Sequence, residues 1–198
     1  MLNETYISNS NNSLRIKPKI KLKDLVSGAY QNSFTELNKK AGVYIFWWTG
    51  DQNFLKSELL KAQYKLKGPH IKNSENNHID INFTREWINS ATHNDNLCLY
   101  VGKSTNIRQR VLGHIKYTNK NIWGDNNGPN FGRKPNTVSQ LRIGIERVFG
   151  RTMIEEILKS VSLSWIELEG IENVINRFYL ENKLIGDLYP LFNIDAER

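Results

Sequence analysis

Residues 42–48 read GVYIFWW, a run with no charged or strongly polar side chain at any position. Consecutive apolar positions rich in β-branched and aromatic types specify a buried strand, and Thr49-Gly50 stops it. A second apolar run, LCLYVG at residues 97–102, ends where Gly102 and Lys103 turn the chain, and VSLSWIEL at 161–168 alternates as a third strand. Buried strands need cover, so helices must pack on this sheet.

The helices are legible from spacing. Leu55, Leu59, Ala62 and Leu66 recur at helical intervals until Gly68-Pro69, and a short helix is expected near Thr84 to Ser90. Others are predicted at Asn106 to about Tyr117, Thr137 to Phe149, Arg151 to Lys159, and Ile171 to Leu188, the last ended by Pro190. Gly124 to Asn136 is too rich in Gly, Asn and Pro to be regular and reads as a surface loop. Residues 1–13 read as disordered, and Arg15 to Lys23 alternates basic and apolar residues around Pro18, as an extended arm or edge strand would. The fold class is α/β (α+β), with a small, mainly antiparallel three-stranded sheet flanked by helices. An N-terminal arm, 1–40, precedes a domain at 41–198 with insertions at about 50–96 and 118–160.

Charge narrows the function. The chain of 198 residues carries a net +7, unevenly spread. Between Asn96 and Ile145 the only acid is Asp125, against Lys103, Arg108, Arg110, Lys116, Lys120, Arg133, Lys134 and Arg142. A basic middle suits a polyanion, although a solvated face has the same composition. The single cysteine, Cys98, excludes an intramolecular disulfide and a cysteine zinc cluster and reads as a small core residue. No apolar stretch reaches membrane-span length and no signal-peptide core begins the chain, so a cytoplasmic protein without a membrane partner is expected.

Two helices carry unusual side chains. In the one after Asn106, Ile107, Val111 and Ile115 form an apolar stripe, with Arg110 and His114 side by side along its edge, at the boundary of core and solvent. In the last helix, Ile171, Val174, Ile175, Phe178, Ile185 and Leu188 define an apolar face with Glu181 inside it. A carboxylate there costs several kcal/mol unless compensated by a cation such as Arg177 or by a metal ion.

In order, GVY (Gly42 to Tyr44), YVG (Tyr100 to Gly102), Arg110, His114, Glu181 and Asn193 resemble the GIY-YIG nuclease family. The tyrosine strands there are usually joined by a short hairpin, whereas a long insertion separates them here. His114 stands where many members carry tyrosine and restriction-type members can carry histidine.

The resemblance implies a metal-dependent endonuclease acting on double-stranded DNA, most plausibly of the restriction type. Its alternatives are a repair or structure-specific nuclease and a catalytically silent nucleic-acid-binding module. The implied catalytic set is Tyr44, Tyr100, Lys103, Arg110, His114, Glu181 and Asn193. Glu181 would hold one Mg²⁺ or Mn²⁺, and Arg110 would fork onto the scissile phosphate. Lys103 would add charge and lower a phenol pKa. Tyr44, Tyr100 and His114 are the general-base candidates, with His114 orienting or deprotonating a tyrosine. Asn193 would fix the active-site loop. Arg108, Lys116, Arg133, Lys134, Lys61 and Lys65 are candidate DNA contacts, with the lysines on an insertion helix. A palindromic target would call for a homodimer or sequential nicks. A further possibility is a protein-interaction domain using Trp47, Trp48 and Trp165 as a sticky surface.

Overall fold

The computed structural model describes residues 18, 20–27, 39–67, 78–115, 139–149, 157 and 159–194. Its frame is a sheet of three long strands: β2 (Gly42–Trp48), β6 (Asn96–Ser104) and β7 (Val161–Glu167). Two short strands widen it, β1 (Ile20–Lys21) and β5 (Thr92–His93). The order is β1-β7-β2-β6-β5, and every neighbouring pair is antiparallel. The expected three-stranded sheet is therefore five-stranded. The β1 edge falls inside the stretch Arg15 to Lys23 that reads as an extended arm or edge strand, whereas β5, two residues long, displays no periodicity and leaves no sequence signal.

Central β2 is buried along its whole length. Tyr44, Phe46 and Trp48 point into a cluster with Leu55, Leu59, Ile107, Val111, Leu141 and Phe149. Val43, Ile45 and Trp47 point the other way, onto Cys98, Val101, Leu180, Leu184 and Leu188. The two-residue period of a strand thus feeds two cores from one segment. Both indoles are satisfied, Trp47 donating to Ser164 Oγ at 2.7 Å and Trp48 to the Asp51 carbonyl at 2.9 Å. Trp47 and Trp48 are buried and Trp165 half-buried, so they form no exposed aromatic patch.

The register of β2 against β6 slips between Phe46 and Trp47, which face Tyr100 and Cys98 respectively. Leu99 is the extra residue of this bulge. Leu99 and Tyr100 consequently share the cluster that holds Tyr44, whereas strict alternation would send Tyr100 to the side of Cys98.

Helices cover both faces. On the Tyr44 side lie α2 (Gln52–Lys61), α4 (Ile107–Ile115) and α5 (Gln140–Phe149), after a short N-terminal helix α1 (Leu22–Ser27) and with α3 (Arg85–Ser90) before β5. The opposite face carries α6 (Val174–Leu188), entered through a 3₁₀ turn at Ile171–Asn173.

Two helical expectations change. The insertion helix does not run to Leu66: Ala62 adopts an extended conformation, and β3 (Gln63–Lys67) pairs antiparallel with β4 (His78–Asn82). The spacing of Ala62 and Leu66 after Leu59 fits a helix only by coincidence, since QYKLK alternates as well as a strand does. In α6 the buried side is Asn176, Arg177, Leu180, Leu184 and Leu188, while Ile171 is 88% exposed and Val174, Ile175 and Phe178 are half exposed. Arg177 rotates the helix away from the expected face because its guanidinium is needed inside, donating to the carbonyls of Leu168 at 2.5 Å and Gly170 at 3.0 Å. It closes the β7–α6 loop and is not the partner of Glu181.

Among the described residues, no helix is long and apolar enough to cross a membrane. The loop expected at Gly124 to Asn136 lies outside the described residues, as does most of the helix expected at Arg151 to Lys159.

Candidate active site

The site grows from the meeting of β2, β6 and α4. Tyr44 faces Gly102 across the ladder, and a Cβ at Gly102 would sit 2.5 Å from Tyr44 Oη and 2.9 Å from Tyr100 Cε1. Both phenol rings therefore lie over a bare stretch of backbone that only glycine provides. Tyr44 Oη is 2.8 Å from His114 Nε2. The imidazole is enclosed by the rings of Tyr44, Tyr100 and Phe46, with centroids 5.6, 5.1 and 5.6 Å away. Its Nδ1 is 2.6 Å from the buried Ser139 Oγ.

His114 is thus inside the core and not at its edge, as the stripe of α4 suggested. Arg110, one turn earlier, stays on the exposed side of α4, and its guanidinium interacts electrostatically with the hydroxyls of Tyr44 and Tyr100. The pair meets at Tyr44 from two directions, one dry and one wet.

Glu181 approaches from α6, on the other face of the sheet. Its side chain is 15% exposed and pairs with Lys103 Nζ, which also lies 5.2 Å from the centroid of the Phe178 ring. The compensating cation for this carboxylate is therefore Lys103. The Glu181 charge acts on both phenols, raising the pKa of Tyr44 and of Tyr100. Asn193 clamps the strand from its outer edge, accepting from Val101 N–H and donating to Val101 C=O, each at 2.7 Å. Beside it, Leu191 and Phe192 N–H donate to the carbonyls of Cys98 at 3.1 Å and Leu99 at 2.8 Å.

Electrostatics assign the protonation states. Burial pushes the Tyr44 phenol far above its ordinary value, with Tyr100 adding to the rise and Arg110 opposing it. Burial likewise raises Tyr100, again against Arg110. The cation that favours a phenolate here is Arg110; Lys103, expected in that role, is engaged with Glu181. His114 moves the opposite way, lowered to about 3 by burial and by the charges of Arg110 and Arg142. It is not the near-neutral acid-base group that a free imidazole would be. At pH 7 a group of that pKa is charged in roughly one molecule in ten thousand.

This carries a pH signature. An unfolded histidine near 6.5 takes up a proton that the folded one refuses until about 3, so the contribution of His114 to stability is complete above 6.5 and is lost as pH falls toward 3. The expected slope from this group is ~1.4 kcal/mol per pH unit within that window, read from urea midpoints and absent in His114→Phe. The ring signals of His114 should not titrate between pH 5 and 8.

No family model, curated protein or solved structure matches the chain. The site is accordingly read from its own chemistry.

Of the expected site residues, Tyr44, Tyr100, Arg110 and His114 converge, Glu181 and Lys103 adjoin them as an ion pair, and Asn193 supports the strand. The expected DNA contacts are more scattered. Lys61 is exposed at the end of α2 and pairs with Glu58 at 2.9 Å, and Lys65 belongs to β3 instead of a helix. Arg108 is half-buried on α4. Lys116, Arg133 and Lys134 lie outside the described residues.

Sequence reasoning missed Ser139 and the bulge at Leu99. Ser139 precedes an amphipathic run, which marks it as a helix cap, but its partner His114 is distant in sequence and leaves no local signal. Among the described residues no group of three or more His, Cys, Asp or Glu side chains gathers as a metal cage. The donor chemistry at Glu181 suits a hard ion held by one carboxylate together with water and phosphate oxygens, a mode typical of Mg²⁺.

Proposed function

We propose that this chain is a metal-dependent endonuclease of the GIY-YIG type that hydrolyses phosphodiester bonds in duplex DNA, as a restriction enzyme does. The observation that carries the reading is the convergence of Tyr44, Tyr100, Arg110 and His114 over Gly102, with the Glu181 carboxylate in electrostatic reach of both phenols. A cluster with two phenols, a guanidinium and a carboxylate is unnecessary for packing a strand against a helix. It suits a reaction in which negative charge develops on phosphate oxygens.

The guanidinium of Arg110 forks onto two nonbridging oxygens, and Lys103 adds a second positive charge beside it. Water attacks phosphorus in line, its new P–O bond forming as the bond to the leaving sugar oxygen breaks. The proton of that water passes to the Tyr44–His114 pair, and the leaving oxygen is protonated from solvent. A divalent ion on Glu181 would supply charge stabilisation for the leaving oxygen. Asn193 keeps the Tyr100–Gly102 strand in register from outside the pocket.

The ion pair between Lys103 and Glu181 favours a second reading, a nucleic-acid-binding module whose glutamate is structural. One assay separates the two. Purified protein incubated with supercoiled plasmid and phage DNA is expected to yield nicked or linear products with Mg²⁺ and none with chelator. Salt-sensitive binding without turnover on any duplex would remove the nuclease reading in favour of the second.

A further inference from the structure

We infer that Ser139 is a positioning residue that holds His114 in the tautomer protonated at Nε2, so that the imidazole donates a hydrogen bond to the Tyr44 oxygen and does not accept one from it. The geometry at Ser139 comes first. Ser139 occupies the N-cap of α5, and its Oγ faces the Arg142 N–H at 3.4 Å, the third position of the helix. With a lone pair turned to that N–H, the hydroxyl keeps its proton available for donation to His114 Nδ1. The 2.6 Å separation places His114 Nδ1 within reach of that hydroxyl as a donor. A neutral ring that accepts at Nδ1 carries its proton at Nε2, here 2.8 Å from Tyr44 Oη.

Charge points the same way. The groups around the imidazole are the guanidiniums of Arg110 from α4 and Arg142 from α5, the phenols of Tyr44 and Tyr100 from the sheet, and the Phe46 ring. Two cations and the positive end of α5 all resist an imidazolium. Of these cations, Arg110 favours a negative oxygen on Tyr44, against burial, Tyr100 and Glu181. Of two ways to take a proton from water, placing it on His114 or on a Tyr44 phenolate, this environment disfavours the first, and the second requires Tyr44, a neutral phenol at rest, to give up its own proton beforehand. His114 then keeps its proton through the cycle: Tyr44 gives its phenolic proton to solvent, His114 and Arg110 support the phenolate so formed, and the phenolate takes up the proton of the attacking water, which restores the phenol. The catalytic consequence rests on the nuclease reading, whereas the tautomer does not.

The test is spectroscopic. In the ¹⁵N-labelled full chain at pH 7, with His114→Gln used for assignment, the His114 ring is expected to give an unprotonated Nδ1 and a protonated Nε2. Ser139→Ala and Ser139→Gly should convert this to a mixture of tautomers, and Ser139→Thr should retain it. The glycine variant keeps most of the capping conformation, so the fold is preserved when the hydroxyl is lost. In cleavage assays kcat should fall ~10–100-fold in the alanine and glycine variants, with KM for DNA little changed and the threonine variant rescued. A wild-type ring protonated at Nδ1, or a tautomer unmoved in both variants, overturns the inference. The spectrum needs no DNA. A chain that cuts nothing yet has the expected tautomer defeats the nuclease reading alone, and a chain that cuts with its proton on Nδ1 defeats this inference alone.

Discussion

Arg110→Ala is expected to lower Mg²⁺-dependent cleavage of plasmid DNA by roughly 10²–10³-fold while duplex affinity stays within a few-fold. Arg110 has two tasks that alanine removes together. Its guanidinium is the cation that opposes burial at both Tyr44 and Tyr100, and it is the fork available to the phosphate. Arg110→Lys keeps the charge but loses the paired donors, so partial activity is expected. Glu181→Ala should be at least as severe, because it removes the carboxylate suited to a divalent ion and releases Lys103 from its partner. Single-turnover rates and fluorescence anisotropy on the same duplex separate chemistry from binding. Full cleavage by Glu181→Ala would reduce that residue to a structural ion pair.

Gly102→Ala is the second large effect, and it acts without touching a charged group. The added methyl would lie 2.5 Å from Tyr44 Oη, 2.6 Å from Tyr44 Cζ and 2.9 Å from Tyr100 Cε1. Neither ring has slack, since Tyr44 is fully buried and tied to His114. Overpacking of this kind costs about 1–3 kcal/mol, which for a chain this long lowers Tm by about 5 °C. A shift of Tyr44 by about 1 Å should cost ~100-fold in rate. Tyr44→Phe added to Gly102→Ala removes the nearest clashing atom, so the double variant should regain part of the lost stability and none of the activity. Wild-type rates in Gly102→Ala would mean that the phenol positions do not matter.

What the sequence displays is what local pattern can carry. Strands β2 and β6 were legible because burial on both faces leaves an unbroken apolar run, β7 because its residues alternate, and α4, α5 and α6 because their apolar residues repeat at helical spacing. The convergence of Tyr44, Tyr100, Arg110 and His114 was readable as an ordered motif. Interactions between distant segments were not. The depth of His114 depends on Ser139 and on the rings of Phe46 and Tyr100; no period along α4 reports them. The facing of α6 was misread because its apolar residues outnumber those it buries, and the deciding contact is a buried arginine on two loop carbonyls. The β3–β4 ribbon was hidden by leucines whose spacing fits two structures equally.

The segment Leu191–Asn193 lies along β6 where β5 no longer does, occupying the carbonyls of Cys98 and Leu99 and both backbone groups of Val101. Peeling it away would bare a row of donors and acceptors in the strand that holds Tyr100, and such a row recruits other polypeptides by strand addition. The segment that braces the strand of Tyr100 is thereby also a safeguard against aggregation, so shortening the protein before Leu191 should yield insoluble material and not a soluble, folded chain.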